Sequence, residues 1–285
     1  MTDAALAASA ALAAELAKPI DPRTLPVRFS RLKQMARSPL HYWHACQTGD
    51  IDGGESLALR LGSGTHALLF GQEWRVAVYP GQRRGKAWDA FEEENHGKII
   101  LTATEAKTAR GIVDAVRGHD LARALMWPGS ADNEIWYERR ADWTRNGRAC
   151  RSAPDVSYAV DATVTVVDLK TTRGASPDWF CREAIRRAYH AQLVFYAEAL
   201  GEDPHHCDLR IVAVESKPPH AVVVWQLTPG AIEHGQMLIG QWWEQLRQCE
   251  DAGTWPGYTQ AMQRLDVDGD MPALIFGDDD SDGTG

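Results

Sequence analysis

Two apolar, β-branched segments flank a two-residue polar break at Asp161-Ala162, and they constrain the fold more than any other part of this chain. Such a pattern predicts a β-hairpin whose arms are Val156–Val160 and Thr163–Thr171. The second arm is almost entirely apolar in its middle, so we expect it to be a buried strand rather than an exposed one.

Charged residues stand at one end of both arms. In the register that a two-residue turn imposes, Asp155 lies opposite Asp168, and side-chain alternation places Lys170 on the same face as Asp168. Two carboxylates can hold a hard cation such as Mg2+, and an ammonium group can neutralise phosphate charge or help to lower the pKa of a water molecule. The pattern therefore indicates metal-dependent phosphodiester cleavage, with a solvated strand face as the competing interpretation.

Two further positions are candidates for the same site. Glu134 begins a segment that alternates like a strand as far as Trp143 and could supply a third carboxylate, whereas Glu138 has the same parity and is the alternative. His66 follows two glycines in an apolar helix predicted over Leu57–Phe70, and it could contact a metal ion or a phosphate. The competing interpretations are a surface acid and a core histidine.

A helix predicted from Ser176 to Leu200 carries Tyr189, Gln192 and Tyr196 on one face. Glutamine is a poor core residue unless its amide is hydrogen-bonded. We therefore expect Gln192 to orient the lysine, a water molecule or a phosphate, while the two tyrosines could equally be core residues.

Basic residues that could contact a nucleic-acid backbone occur in two places. One is a glycine-flanked loop followed by an aromatic residue that could stack on a base, and the other is a run of arginines beside the tyrosine face. These candidates are Arg83, Arg84, Lys86 and Trp88 in the loop and Arg182, Arg186 and Arg187 on the helix. A mobile loop and a solvated helix face are the alternatives.

The formal net charge is −9, which argues against a protein that coats nucleic acid non-specifically. Part of it lies in the C-terminal tail, at Asp278, Asp279, Asp280 and Asp282. Five cysteines stand far apart, without the spacing of a disulfide framework or an iron–sulfur cluster, as in a reduced cytoplasmic protein. No apolar run is long enough for a membrane span.

The predicted elements begin with an N-terminal helical segment, followed by a mostly sequential sheet that one long helix interrupts. This order predicts an α/β fold with a mixed central sheet flanked by helices. We expect an Ala-rich flexible arm at residues 1–22, one globular domain at 23–262 and an acidic, disordered tail at 263–285.

In their order, these motifs resemble those of the PD-(D/E)XK nuclease superfamily. Within it they resemble the RecE-type (exodeoxyribonuclease VIII-like) exonucleases of phages and prophages, which are related to RecB-type nuclease domains. The resemblance spans about residues 28–228. It is carried by Ser30 to Lys33, Ser38 to Tyr42, Gly62 to His66, Arg83 to Trp88, Glu134, Pro154-Asp155, Asp168 to Thr172, Tyr189 to Tyr196 and Val214 to Pro219.

The resemblance implies a restriction-endonuclease-like core and a role for each matching residue. The implied ligands of Mg2+ or Mn2+ are His66, Asp155, Asp168 and the carbonyl group of Leu169. The implied catalytic group is Lys170, accompanied by Glu134, Gln192 and Tyr196. One departure is that Ser152 and Ala153 precede Pro154, where a basic residue and a glycine are commoner.

The implied reaction is hydrolysis of DNA from double-stranded ends in the 5′→3′ direction, with one or two Mg2+ ions and a 5′-phosphate product. The resemblance also implies a ring-shaped homo-oligomer, a single-strand annealing protein as partner, a role in recombination, and a cytoplasmic protein encoded by a bacterium or phage. Two other functions fit the same residues: a structure- or site-specific endonuclease, and a non-catalytic module that binds nucleic acid or a partner.

Overall fold

The computed structural model of this chain describes residues 19–49, 56–129 and 134–264. Its helices are α1 Phe29–Leu32, α2 Pro39–Thr48, α3 Leu57–Leu69, α4 Lys86–Glu94, α5 Ala103–Gly118, α6 Asp120–Met126, α7 Pro177–Arg186, α8 Tyr189–Ala199 and α9 Pro229–Ala252. Its strands are β1 Val76–Tyr79, β2 Ile99–Thr102, β3 Trp136–Tyr137, β4 Ala141–Arg145, β5 Arg148–Ser152, β6 Val156–Val160, β7 Thr163–Thr172, β8 Asp208–Glu215 and β9 Val222–Gln226. The predicted arm up to position 18, and the predicted tail from position 265, lie outside the described residues.

Five strands form the central sheet in the order β3-β6-β7-β8-β9. Neighbouring strands are antiparallel except β7 and β8, which run parallel. Two small sheets accompany it: β1 pairs with β2 in parallel, and β4 pairs with β5 in antiparallel. The predicted α/β class with a mixed central sheet is therefore confirmed.

Helices cover both faces of the central sheet, and the side chains of β7 alternate between them. Val166 packs into a core that α1, α8 and α9 complete, whereas Val167 and Leu169 pack into a second core with α3, α5 and α6. Burial on both faces explains why β7 is apolar through its middle instead of alternating with polar residues. Its charged residues are confined to the C-terminal half of the strand.

The β6–β7 hairpin has the predicted turn and register. Asp161 and Ala162 have φ angles of 49° and 61°, as a type I′ turn requires at both central positions. Val160 pairs with Thr163, and Val156 pairs with Val167. The register predicted from the sequence is confirmed, because a tight turn leaves the two arms only one way to pair.

Two predicted elements are interrupted. The helix expected over 176–200 is two helices, because Ala188 adopts a left-handed conformation (φ 55°) between α7 and α8. The strand expected over 134–143 is broken by Glu138, whose φ is 46°, so that only β3 and β4 are extended. Glu134 precedes β3 and does not belong to a strand. Positive φ is costly for residues with a side chain, so both breaks are imposed by tertiary contacts.

Two elements were not predicted. Helix α4 follows the basic loop, and strand β2 follows α4, so that β1, α4 and β2 form one parallel crossover unit. All five cysteines are free thiols. Among the described helices, none combines the length and the apolar composition that a membrane span needs.

Candidate active site

Two buried aspartates lie together at one end of the β6–β7 hairpin. Asp155 immediately precedes β6, and its Oδ2 atom accepts a 2.7 Å hydrogen bond from the backbone N–H of Leu169. Only 8% of Asp155 and 2% of Asp168 is exposed. Neighbouring carboxylates that are removed from water repel each other and require cations nearby.

Lys170 provides one of these cations. Its Nζ atom lies 2.6 Å from Oδ2 of Asp168, as expected for residues on the same face of a strand. The same ammonium group donates a 2.9 Å hydrogen bond to Oε1 of Gln192. It also lies 4.6 Å from the centre of the Tyr189 ring, within the range of a cation–π contact.

Helix α8 supplies the polar partners of the lysine. The Nε2 atom of Gln192 donates a 2.7 Å hydrogen bond to the hydroxyl of Tyr196, one helical turn further on. The left-handed break at Ala188 starts a new helix at Tyr189, which directs this face to the end of β7. The structure thus brings together Asp155, Asp168, Lys170, Gln192 and Tyr196.

His66 reaches the same site from α3. Its Nδ1 atom lies 3.5 Å from Oδ1 of Asp155. A Cβ atom at Gly64 would lie 2.7 Å from a methyl group of Leu101, so the glycine lets α3 pack closely on β2. This contact gives a physical reason for a glycine just before the histidine.

Glu138 is the acidic residue of the preceding segment that meets the site. Its Oε1 atom lies 3.7 Å from Nδ1 of His66, and its backbone N–H donates to the carbonyl of Asp155 at 2.9 Å. Glu134 is exposed, and its carboxylate accepts a 3.3 Å hydrogen bond from the indole of Trp136. Of the two acids that sequence reasoning left open, Glu138 therefore contacts the histidine and the first aspartate.

Two residues that sequence reasoning missed hold Glu138. Gln72 donates a 2.7 Å hydrogen bond to Oε2 of Glu138, and a guanidinium nitrogen of Arg75 lies 3.7 Å from the same oxygen. Gly71 (φ 70°) ends α3 and lets the chain turn back, with the N–H of Gln72 donating to Ala67. In the sequence, Gly71 signals that the helix ends there, but it does not show that Gln72 and Arg75 contact Glu138.

The pKa values of the site follow from burial and mutual attraction. Burial raises the pKa of Asp155 to about 6, against the lowering effect of His66. Burial by itself would lower the pKa of His66, but Asp155 and the bond to Glu138 raise it to about 9. For Lys170, burial also opposes the charge, but Asp168, Asp155 and Tyr189 together outweigh it and raise the pKa. The carboxylates thus favour the charged forms of His66 and Lys170, and a metal ion that bound to the imidazole would have to displace its proton.

The donor set has the chemistry that a hard divalent cation needs. Carboxylates, a strand carbonyl such as that of Leu169 and an imidazole all bind Mg2+ or Mn2+ in proteins. In the described ranges, no group of three or more His, Cys, Asp and Glu side chains is already arranged to hold a metal ion. Lys170 and His66 instead make the close contacts to Asp168 and Asp155. The donor atoms present are nevertheless of the types that bind a divalent ion.

Part of the basic loop makes contacts within the protein itself. Arg83 lies 2.9 Å from Glu105, donates to the carbonyl of Ile100 and stacks 5.3 Å from the ring centre of Trp88. Trp88 is half-buried in α4 and meets Tyr79 edge-on at 5.2 Å. Among the basic residues of this loop, Arg84 and Lys86 have exposed side chains.

The arginines of α7 lie on the surface and bond within their own helix. Arg182 donates to the carbonyl of Asp178, and Arg186 and Arg187 both pair with Glu183. Their side chains are exposed. A role of Arg182 and Arg186 in binding DNA stays a prediction.

Comparison with known proteins places the chain in a family. A family model described as a PDDEXK-like domain of unknown function (DUF3799) matches residues 28–266. No curated protein matches the chain. The predicted membership of the PD-(D/E)XK superfamily is confirmed by the family model, which spans the residues of the site.

A solved structure supports this fold. The crystal structure of a "Putative exonuclease" from Eubacterium rectale has a TM-score of 0.57 and 13% identity, over 85% of this chain and 90% of that chain. An alkaline exonuclease (LHK-Exo) from Laribacter hongkongensis has 14% identity over 69% of this chain and 93% of that chain, and its TM-score of 0.28 is too low to show a common fold. Because the family model covers most of its length, this chain belongs to the family of PDDEXK-like domains of unknown function (DUF3799).

Proposed function

We propose that this chain is a divalent-metal-dependent deoxyribonuclease that hydrolyses phosphodiester bonds from double-stranded DNA ends. The observation that carries the proposal is the network of Asp155, Asp168, Lys170 and Gln192, in which buried carboxylates accept bonds and the half-buried Lys170 contacts Asp168. Burying unlike charges together has a free-energy cost that a purely structural site can avoid with apolar residues. Such clusters are therefore typical of functional sites.

The residues that would hold the ion are Asp155, Asp168 and the Leu169 carbonyl, with His66 at the side of Asp155. A divalent ion bound there would act as a Lewis acid on a phosphoryl oxygen and would neutralise charge on the leaving oxygen. Glu138 lies 3.7 Å from the same Nδ1 atom of His66 that Asp155 approaches, so it would help to orient the imidazole through that contact.

Lys170 is positioned to act on the reacting phosphate. An ammonium group has three N–H donors, and Asp168 and Gln192 use two of them. The third can donate to a water molecule or to a non-bridging phosphate oxygen. Water attacks the phosphorus in line, the bond to the 3′-oxygen breaks, and the products carry a 5′-phosphate and a 3′-hydroxyl.

The finer assignments rest on the resemblance to RecE-type exonucleases. They are Mg2+ as the ion, 5′→3′ digestion, a recombination role in a bacterium or phage, a ring-shaped homo-oligomer and a single-strand annealing partner. Light scattering on the purified chain tests the oligomer, because a monomer at all concentrations contradicts a ring. Strands labelled at the 5′ or 3′ end test the polarity.

The test of the proposed function uses purified protein and Mg2+ on linear and covalently closed circular duplex DNA. Parallel reactions contain EDTA or the Lys170→Ala variant. We expect loss of the linear DNA alone, dependent on both the metal and the lysine. Cutting of the closed circle would indicate an endonuclease, and no cleavage with Mg2+ or Mn2+ would favour a non-catalytic binding module.

A further inference from the structure

Trp74 is exposed to a degree that no other tryptophan of the chain approaches. All eleven tryptophans lie within the described residues, and only Trp74, at 75% exposure, belongs to the exposed large hydrophobic residues. A single exposed apolar residue is ordinary on a protein surface and by itself indicates nothing. What distinguishes Trp74 is the segment that carries it.

The short 3-10 turn Glu73–Arg75 is tied to the candidate active site on both sides of Trp74. Gln72, just before the turn, donates to Glu138 at 2.7 Å, and Arg75 lies 3.7 Å from the same carboxylate. Arg75 also bonds the side chain of Gln72 at 2.5 Å. The backbone of Trp74 is thereby held next to the carboxylate that contacts His66.

The geometry of the turn sends the indole away from these bonds. In a 3-10 helix, residues three positions apart lie on the same side, which is how Gln72 and Arg75 reach one carboxylate. Trp74 is about a third of a turn away from Arg75. Its ring therefore points away from Glu138 and is exposed to solvent on the segment that contacts the site, and within the described residues it has no aromatic partner.

Trp88, the tryptophan that the sequence suggested for stacking, is in a different situation. One ring edge meets Tyr79, and the guanidinium of Arg83 covers it at 5.3 Å. At least one π face of Trp88 is thus already covered by the protein itself. Trp74 has free faces, so it can accept a planar ligand without any rearrangement of the fold.

An unstacked nucleobase is the ligand that suits a free indole on a segment whose neighbouring residues contact the proposed phosphodiesterase site. Every base has a π face, so stacking on an aromatic side chain strengthens binding whatever the sequence. It also works without net positive charge, which matters for a chain with a formal charge of −9. An apolar protein partner would use the same ring but would not depend on bases.

We infer that Trp74 is a stacking platform for an unpaired base of the DNA substrate, next to the phosphate that is cleaved. This inference rests on the proposed function. It assigns to Trp74 the task of holding a frayed strand end while Lys170 and the carboxylates act on the backbone.

The test compares Trp74→Ala with Trp74→Phe and with Tyr258→Ala. Tyr258 is a matched control because it is an aromatic residue of equal exposure, 75%, on the C-terminal segment beside His41. The probe is a fluorescein-labelled single-stranded oligonucleotide, and the readout is its anisotropy in EDTA and in Ca2+. We expect Trp74→Ala to weaken binding about tenfold. Trp74→Phe should retain most of the affinity, and Tyr258→Ala should bind like the unaltered protein.

A second probe removes the bases instead of the indole. With an oligonucleotide whose terminal nucleotides are abasic, Trp74→Ala and the unaltered protein should bind equally well. The salt dependence of binding should be the same for both proteins, because no charge is removed. A Trp74→Ala defect that persists on the abasic strand would overturn the inference and point to an apolar partner or a structural effect.

Failure of the inference and failure of the proposed function give different results. If the unaltered protein cleaves linear DNA but Trp74→Ala binds and cleaves like Tyr258→Ala, the inference alone is wrong. If the unaltered protein neither binds nor cleaves nucleic acid, both are wrong. Thermal melting of each variant verifies the fold, because substitution of an exposed side chain should leave the melting temperature nearly unchanged.

Discussion

In the β6–β7 site, each charged group contacts another charged or polar group of the same site: Lys170 meets Asp168 and Gln192. In the Gly81–Trp88 segment, the arginine with the most contacts, Arg83, is instead bound to Glu105 and Ile100 of the scaffold. Both regions were predicted to meet the substrate. The difference teaches that a charge cluster in a buried strand pair indicates chemistry, whereas a basic surface loop can equally serve the fold.

The largest effect is expected at the lysine of the first region. Lys170→Ala removes the donor next to the reacting phosphate, and cleavage of linear DNA should fall by at least about 100-fold. Lys217→Ala, at an exposed lysine in the turn between β8 and β9, is the control and should retain full activity. Normal cleavage by Lys170→Ala would remove the lysine from the mechanism.

The next effect concerns the ion. Asp168→Asn removes a negative charge from the donor set, so the affinity for Mn2+ should fall by at least about tenfold in calorimetry. Asp142→Asn is a suitable control, because Asp142 is an exposed acid paired with Arg140 and Arg151. Equal Mn2+ affinities for the two variants would mean that the ion binds elsewhere.

A comparison of the two candidate acids sharpens the boundary of the site. Glu138→Gln keeps the shape but loses the charge beside His66, and cleavage should fall about tenfold. Glu134→Gln changes an exposed residue bonded to Trp136 and should remain within about twofold of the unaltered protein. If Glu134→Gln instead lost more activity than Glu138→Gln in a DNA digestion assay, Glu134 would be the acid that acts in the site.

The smallest effects are expected in the second region, and they should appear in stability. Trp88→Ala removes a half-buried ring and its contact with Tyr79, so the free energy of unfolding should fall by about 2 kcal/mol. Arg84→Gln, at an exposed position, should change it by less than about 0.5 kcal/mol. Urea denaturation measures both. If Trp88→Ala had unchanged stability but bound DNA more weakly, Trp88 would be the residue that stacks on a base.

Short-range features of this protein could be predicted from its sequence. The turn at Asp161 and Ala162 and the alternation of the arms were enough to place Asp155 opposite the end of β7 and Lys170 beside Asp168. Helical spacing likewise placed Gln192 and Tyr196 on one face, and they are hydrogen-bonded. These relationships lie within one hairpin or one helix, where residue spacing determines which side chains are neighbours.

The tertiary structure decided the relationships between segments that are distant along the chain. Glu138 rather than Glu134 meets His66 because the chain turns at a positive φ that no glycine signals. Gln72 and Arg75 reach Glu138 only because α3 packs against the sheet and then turns back. Periodicity within a segment carries no information about which distant segment it will meet. Docking of helices on a sheet depends on the packing of both cores, and this packing placed His66 and Glu138 beside Asp155, which the sequence already identified.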